Sequence, residues 1–210
     1  MPVSYPASMP TSGLTSLSWT NTTSSTITKS PFSFQSQAQS YGGAIRYASI
    51  TVENLNREEA EDWVGFLDSL NGTIGTFLFG DPAAVTPMGV GGGSPTIRGI
   101  NNATRDIISV NTTLTTNVSG WLRRGDWIQI GTGLDARLYK VVTPTVNVSG
   151  STGATPGFVI WPTFRRNPIV GEAVIINSPK GLFRRSSAAY SYTEDNGCKY
   201  GLSFDCEEVI

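Results

Sequence analysis

Apolar and polar residues alternate along this chain with changing periods, and the changes divide it into segments. Residues 44–52 (AIRYASITV) are rich in β-branched and aromatic side chains, and a period of two puts Arg46 and Tyr47 on opposite faces. This predicts a strand. From Ala60 through Trp63, Val64, Leu67 and Leu70 the apolar spacing turns helical, with Asn56 placed as N-cap, Glu59 three residues later and Asn71-Gly72 as the stop. One helix over 57–70 follows. Its early acids, Glu58, Glu59, Glu61 and Asp62, complement the helix dipole and read as a solvated N-terminus rather than a carboxylate site. Residues 74–79 (IGTFLF) then predict a short apolar strand packed on that helix.

Residues 1–30 are dominated by Ser and Thr, with Leu14, Leu17 and Trp19 as isolated apolar positions, and read as an extended arm. Residues 81–95 (DPAAVTPMGVGGGSP) carry too much Gly and Pro for a helix or a central strand, and predict a junction. Beyond it, β-like runs at 106–110, 127–130, 137–142, 158–161 and 173–176 alternate with turns. Such a series predicts a small barrel or sandwich, for which the five-stranded OB-fold is one solution. A second junction at 177–181 (NSPKG) leads into a run at 182–192, a turn at Asp195-Asn196-Gly197 and a strand over 199–209. Because an isolated hairpin is marginal in water, this last one is expected to return to the first part of the chain. The expected division is residues 1–85 with 179–210 as one unit, and 86–178 as an insertion.

Composition narrows the chemistry. The 210 residues are 39% hydrophobic, enough for a core, and 15 basic against 16 acidic residues leave a net charge of -1. Without a cationic excess, general nucleic-acid binding is disfavoured. The first ten residues lack a basic start and an apolar signal region, and no run of about 18 apolar residues occurs, so a soluble protein made in the cytoplasm is expected. Cys198 and Cys206 lie in what reads as one strand, which would hold them roughly 26 Å apart against the ~7 Å a disulfide tolerates. Free thiols are predicted. The sequons at Asn21, Asn71, Asn102, Asn111, Asn117 and Asn147 are what a chain rich in Thr, Ser and Asn produces by chance, and no glycosylation is expected.

The chain has no histidine, which removes His-based triads and the commonest zinc ligand, and two cysteines cannot build a thiolate zinc site. Glu207 and Glu208 are adjacent and should face opposite sides of a strand. No catalytic, cofactor-binding or metal-ligating residue is therefore assigned, no cofactor is expected and the chain is not read as an enzyme. GVGGGS at 89–94 has the look of a phosphate cradle, yet no buried strand directly precedes it, no Gly-Lys-Ser/Thr follows and Pro95 interrupts a helix. It reads as a linker. Arg123-Arg124 and Arg165-Arg166, with Trp121, Trp127, Trp161 and Phe164, have the aromatic and basic mix of single-strand binders; hairpin tips and barrel packing are the plainer reading, with subunit contacts or ligand binding as alternatives.

The order of these pieces resembles the distal tail proteins of siphophages. Residues 29–82 are similar to that family's Ser-Pro segment, Gln-containing strand, aromatic strand and helix ending in Trp-x-x-Phe-Leu-x-x-Leu, with a Gly turn and an apolar strand before Asp-Pro; Trp63, Phe66, Leu67, Leu70 and Gly72 match best. LRRGDWIQI at 122–130, RLYKVV at 137–142 and VIWPTFRR at 159–166 resemble the inserted OB-like domain of one branch, and GLFRR at 181–185 with YGLSFDCEEV its return. The long Ser/Thr-rich start departs from the pattern. The resemblance implies a mainly β fold, namely a discontinuous β-sandwich with one α-helix plus an inserted small OB-like barrel. It further implies a structural virion protein of the tail tip, assembled as a ring, a hexamer, that joins the tail tube protein to tail hub or tail-tip proteins, with no membrane partner and DNA only in transit through the lumen. The alternative is a carbohydrate- or single-strand-binding module built on the OB-like part. A tail-associated hydrolase would need a carboxylate site that the sequence does not locate.

Overall fold

A computed structural model describes residues 4–195 and 197–210. The fold is mainly β, with 47% of residues in strands against 8% helical and a single α-helix. The first surprise is the Ser/Thr-rich start. Instead of an arm without partners, it forms a long strand β1 (Leu14–Lys29) that pairs antiparallel with β2 (Ser36–Leu55), itself far longer than the nine residues expected. Thr is β-branched and suits a pleated surface, so a polar Thr-rich run extends as a strand once a neighbour accepts its backbone hydrogen bonds.

Helix α1 (Arg57–Ser69) begins at the predicted cap: Asn56 Oδ1 accepts from the Glu59 N–H and the Glu59 carboxylate accepts from the Asn56 N–H, both at 3.0 Å. The chain turns back through Asn71 and Gly72, both at positive φ, into β3 (Thr76–Phe79). Ile74, expected in that strand, is left in the turn and exposed.

Eight strands follow: β4 (Thr96–Ile100), β5 (Ile107–Asn111), β6 (Val118–Arg123), β7 (Trp127–Ile130), β8 (Arg137–Val141), β9 (Thr145–Val148), β10 (Phe158–Trp161) and β11 (Val174–Ile175). Six of them form a sheet ordered β11-β7-β8-β10-β5-β4, and a bridge from Thr96 to Ala173 nearly closes it into a barrel. β6 and β9 form a separate two-stranded ribbon. The expected runs at 106–110, 127–130, 137–142, 158–161 and 173–176 are all strands within a residue or two, whereas β4, β6 and β9 were not anticipated.

The chain closes with β12 (Gly181–Arg185), β13 (Ser191–Glu194) and β14 (Tyr200–Glu208). The expected continuous run over 182–192 is broken at 186–190. β13 pairs with β14, and Asp195 Oδ1 closes the turn by accepting from the N–H groups of Gly197 and Lys199 at 2.8 Å. Asn196, the middle residue of the predicted turn, lies outside the described residues. β14 runs between β2 and β12, and β12 lies beside β3, giving one sheet ordered β1-β2-β14-β12-β3 with β13 alongside.

Two hydrophobic clusters hold this together. One joins Ile50, Val52, Trp63, Leu67, Phe77 and Phe204, under α1; the other fills the barrel with Trp121, Ile128, Tyr139, Phe158 and their neighbours. Cys206 is buried in the first, whereas Cys198 is exposed at φ 55° in the turn before β14, so the two thiols are not on one strand as expected; both are free.

Candidate interaction surfaces

Along β2, residues 46, 48, 50 and 52 share one face of the sheet, and all four are buried. Three are apolar; the fourth is Arg46, with no exposed surface. Its guanidinium lies 4.6 Å from the Trp127 ring and 5.0 Å from the Trp161 ring, both on the barrel. It donates Nε to Asn21 Oδ1 at 3.2 Å and Nη1 to the Leu138 carbonyl at 3.0 Å. Burial lowers its pKa to about 10, an effect that the charge of Glu208 partly offsets. Glu208, at the end of β14 and also buried, accepts from Arg165 Nη2 at 2.8 Å. Trp19 completes the joint, stacked on Phe79 at 5.3 Å and tilted against Trp127 at 5.5 Å. A buried ionic set costs desolvation, which these hydrogen bonds offset only in part, since Arg46 Nη2, Arg165 Nε and Glu208 Oε1 have no partner among the described residues; the set specifies how the sheet and the barrel meet.

Most of the aromatic and basic residues singled out in the sequence are thus engaged internally, whereas Arg123 and Arg124 are exposed. Trp121 and Phe164 lie in the barrel core, Trp127 and Trp161 flank Arg46, Arg165 pairs with Glu208, and Arg166 pairs with Glu172. Arg124 donates Nε to the Val142 carbonyl at a turn, as a hairpin-tip residue would. The Gly-rich run is also bound rather than free. Val90 N–H and Gly91 N–H donate to the carbonyls of Gly120 and Trp121, and the Asp126 carboxylate accepts from the N–H groups of Met88, Gly89 and Arg123. A Cβ at Gly89 would fall 2.3 Å from the Trp121 carbonyl oxygen, so glycine is needed there for close approach rather than for slack.

Beyond residue 23 the β1–β2 hairpin leaves the body of the molecule. Thr23 pairs with Ala44 but Ser25 pairs with Ser40, so Tyr41, Gly42 and Gly43 bulge out of β2, with Gly42 at φ 73°. The distal ribbon, Ser25–Lys29 against Ser36–Ser40, is exposed on both strands. It carries Ile27, Phe32 and Phe34 at 71%, 93% and 69% exposure, with Tyr41 exposed at its root. A two-stranded ribbon with apolar tips gains nothing from standing in water.

The face of the sheet opposite Arg46 is polar. Ser16, Ser18 and Thr20 of β1 are exposed there, beside Ser49 of β2 and Ser203 and Asp205 of β14. At the rim, Glu207 is half-buried and 3.9 Å from Arg184. Among the described residues the outer edge of β1 is unpaired, whereas the opposite edge, β3, is partly covered by a parallel bridge from Ala7 to Phe77. Beside that second edge lies an apolar cleft of about 360 Å³ lined by Met9, Leu78, Phe79, Pro82, Val85 and Pro179 among others.

Among the described residues no group of three or more His, Cys, Asp or Glu side chains is placed to hold a metal, and no helix is long and apolar enough to cross a membrane. Neither the protein-family models nor the curated proteins with which the sequence was compared give a match to this chain.

Proposed function

We propose that this chain is a structural subunit that assembles with copies of itself into a ring, as a distal tail adaptor at the end of a siphophage tail tube, joining the tube to the tail-tip proteins. The observation that carries this reading is the arm formed by the distal part of the β1–β2 hairpin, a polar ribbon exposed on both strands with Ile27, Phe32 and Phe34 turned to solvent. The unpaired edge of β1 and the apolar cleft beside β3 lie at opposite ends of one sheet. A contact between unlike edges is head-to-tail, and such contacts close into rings when the rotation allows. In a hexamer the hydroxyl-rich open face, with Asp205 and Glu207, would line the channel, where Arg184 is set against Glu207 and the acidic side chains leave little cationic hold on passing DNA.

In this reading residues 1–85 and 179–210 form the ring domain, a β-sandwich with its helix, and residues 86–178 form an inserted OB-like barrel that projects outward. The Arg46 and Glu208 contacts keep the barrel at a fixed angle. The mechanism is mechanical, and the reading assigns no catalytic residue. The alternative, a barrel that binds a single strand, loses its aromatic platform because Trp127 and Trp161 are occupied by Arg46.

The test is assembly of the whole chain with and without the arm's apolar tips, followed by native mass spectrometry alone and in the presence of the tail tube protein. Replacing Phe32 and Phe34 by Ser should abolish oligomers and leave the unfolding midpoint at that of the unaltered chain diluted to monomer, since both rings are exposed in the subunit. If that variant assembles as well as the unaltered chain, the arm is not the assembling element.

A further inference from the structure

The tetrapeptide Asn-Val-Ser-Gly occurs twice in the barrel, at residues 117–120 and 147–150. The two copies face each other across the β6–β9 ribbon, with Val118 directly opposite Val148. Their asparagines make a reciprocal contact: Asn117 Oδ1 accepts from Gly150 N–H at 2.7 Å, and Asn147 Oδ1 accepts from Gly120 N–H at 2.8 Å. The pair has a local two-fold arrangement through the two valines. At Gly150 a Cβ would meet the backbone of Thr116 and Asn117 at 2.4 to 2.6 Å, so the second copy can approach the first only as glycine.

This arrangement has a chemical consequence. A carboxamide whose oxygen is committed to a backbone N–H has its orientation set, and its NH2 group becomes a fixed donor. Neither Asn117 nor Asn147 uses that NH2 on another group among the described residues. Both line a shallow, open cleft of about 490 Å³ on the surface. Arg98, Ser119, Ser149 and Thr152 line it too, and among the described residues Arg98 is its only charged residue and no carboxylate contributes. Two fixed amide donors, a guanidinium and several hydroxyls make a donor-rich cleft of positive sign.

We infer that this cleft binds an anionic oxygen group, a phosphoryl or carboxylate group of the kind borne by acidic polysaccharides. Both groups offer several acceptor lone pairs, and charge-assisted hydrogen bonds from amide and guanidinium donors are the strong ones. The inference is independent of the ring reading, since the cleft is complete within one subunit.

The test uses the whole chain and the side-chain amide signals of Asn117 and Asn147 in 1H–15N NMR. Added sodium phosphate or sodium glucuronate should shift both signals in a saturable way, and glucose should not. A shift with phosphate alone identifies a phosphoryl ligand, and one with glucuronate alone a carboxylate sugar. Asn117→Asp and Asn147→Asp, made singly, keep the oxygen that accepts from the glycine N–H, so a clamp that served structure alone would survive. Each should unfold at the same temperature as the original chain yet bind about tenfold or more weakly. The inference is overturned if neither anion shifts the two amides, if all exposed amides shift alike, if glucose acts as well as the anions, or if the Asp variants bind undiminished.

Discussion

Arg46 and Trp127 stand in cation–π contact at 4.6 Å, a strand of one sheet reaching into the wall of another. A desolvated contact of this kind is worth about 2 kcal/mol, and the hydrogen bonds from Arg46 to Asn21 and Leu138 add to it. Arg46→Ala should lower stability by about 2 to 4 kcal/mol in denaturant unfolding, through a cavity and an unpaired carbonyl. Arg46→Met, which refills the space without a buried charge, should cost clearly less. Equal losses for the two would mean that the charge rather than the packing holds the joint.

Trp63 is fully buried on the inner face of α1, in contact with Phe66 and Phe204, and its Nε1 donates to the Ser12 carbonyl at 3.0 Å. Trp63→Ala is expected to cost about 3 to 5 kcal/mol, as deletion of a large buried aromatic does. A loss below about 0.5 kcal/mol, the level of a surface change, would place this face in solvent and make α1 a docking helix.

The two thiols should behave differently. Cys198 is exposed, whereas burial pushes the Cys206 thiol well above its ordinary range, and its Sγ–H points to the Ala48 carbonyl. Maleimide labelling should modify one thiol in the folded protein and two after denaturation, with Cys198 the site of the first. Equal labelling rates for both in the folded state would contradict the burial of β14.

Tyr190 ties the return segment to α1 by donating its hydroxyl to Asp68 Oδ1 at 2.6 Å. Desolvation first, then this bond, raises its pKa to about 12. Because the folded value lies above the ordinary one, the associated stability is fully present below pH ~10 and is lost as pH rises towards 12. Tyr190→Phe should reduce the alkaline loss of stability measured by denaturant midpoints across that window. An unchanged pH slope would show that other groups, Tyr139 among them, carry it.

The sequence was most readable where one residue type has one structural use. Asn56 with Glu59 marked the start of α1, and Asn71-Gly72 its end, because capping and left-handed turns leave few alternatives. β1 was harder to read, since Thr and Ser serve loops and exposed strands alike, and only pairing with β2 decides between them. β4, β6 and β9 leave little local signal, because they are short and place polar residues on an exposed side, as in Val118–Arg123 and Thr145–Val148, with a glycine within the first. Arg46 did leave a signal: in a strand of period two it shares the face of Ala48, Ile50 and Val52, so a charge was bound for the interior. Its partners, Trp127 and Trp161, lie far along the chain and invited a reading as a binding platform. Pairing across that separation is a tertiary fact with no local pattern.

The central claim is that copies of this chain close into a ring around a channel, and a cryo-electron microscopy map of the assembled tail tests it most directly. Six copies should surround the lumen, with the open face of Ser49, Ser203 and Asp205 turned inward, each arm of residues 25–40 laid on the neighbouring subunit, and residues 96–178 projecting outward. A map that shows the chain as a single copy, or sets its barrel inside the lumen, would contradict the ring-adaptor account.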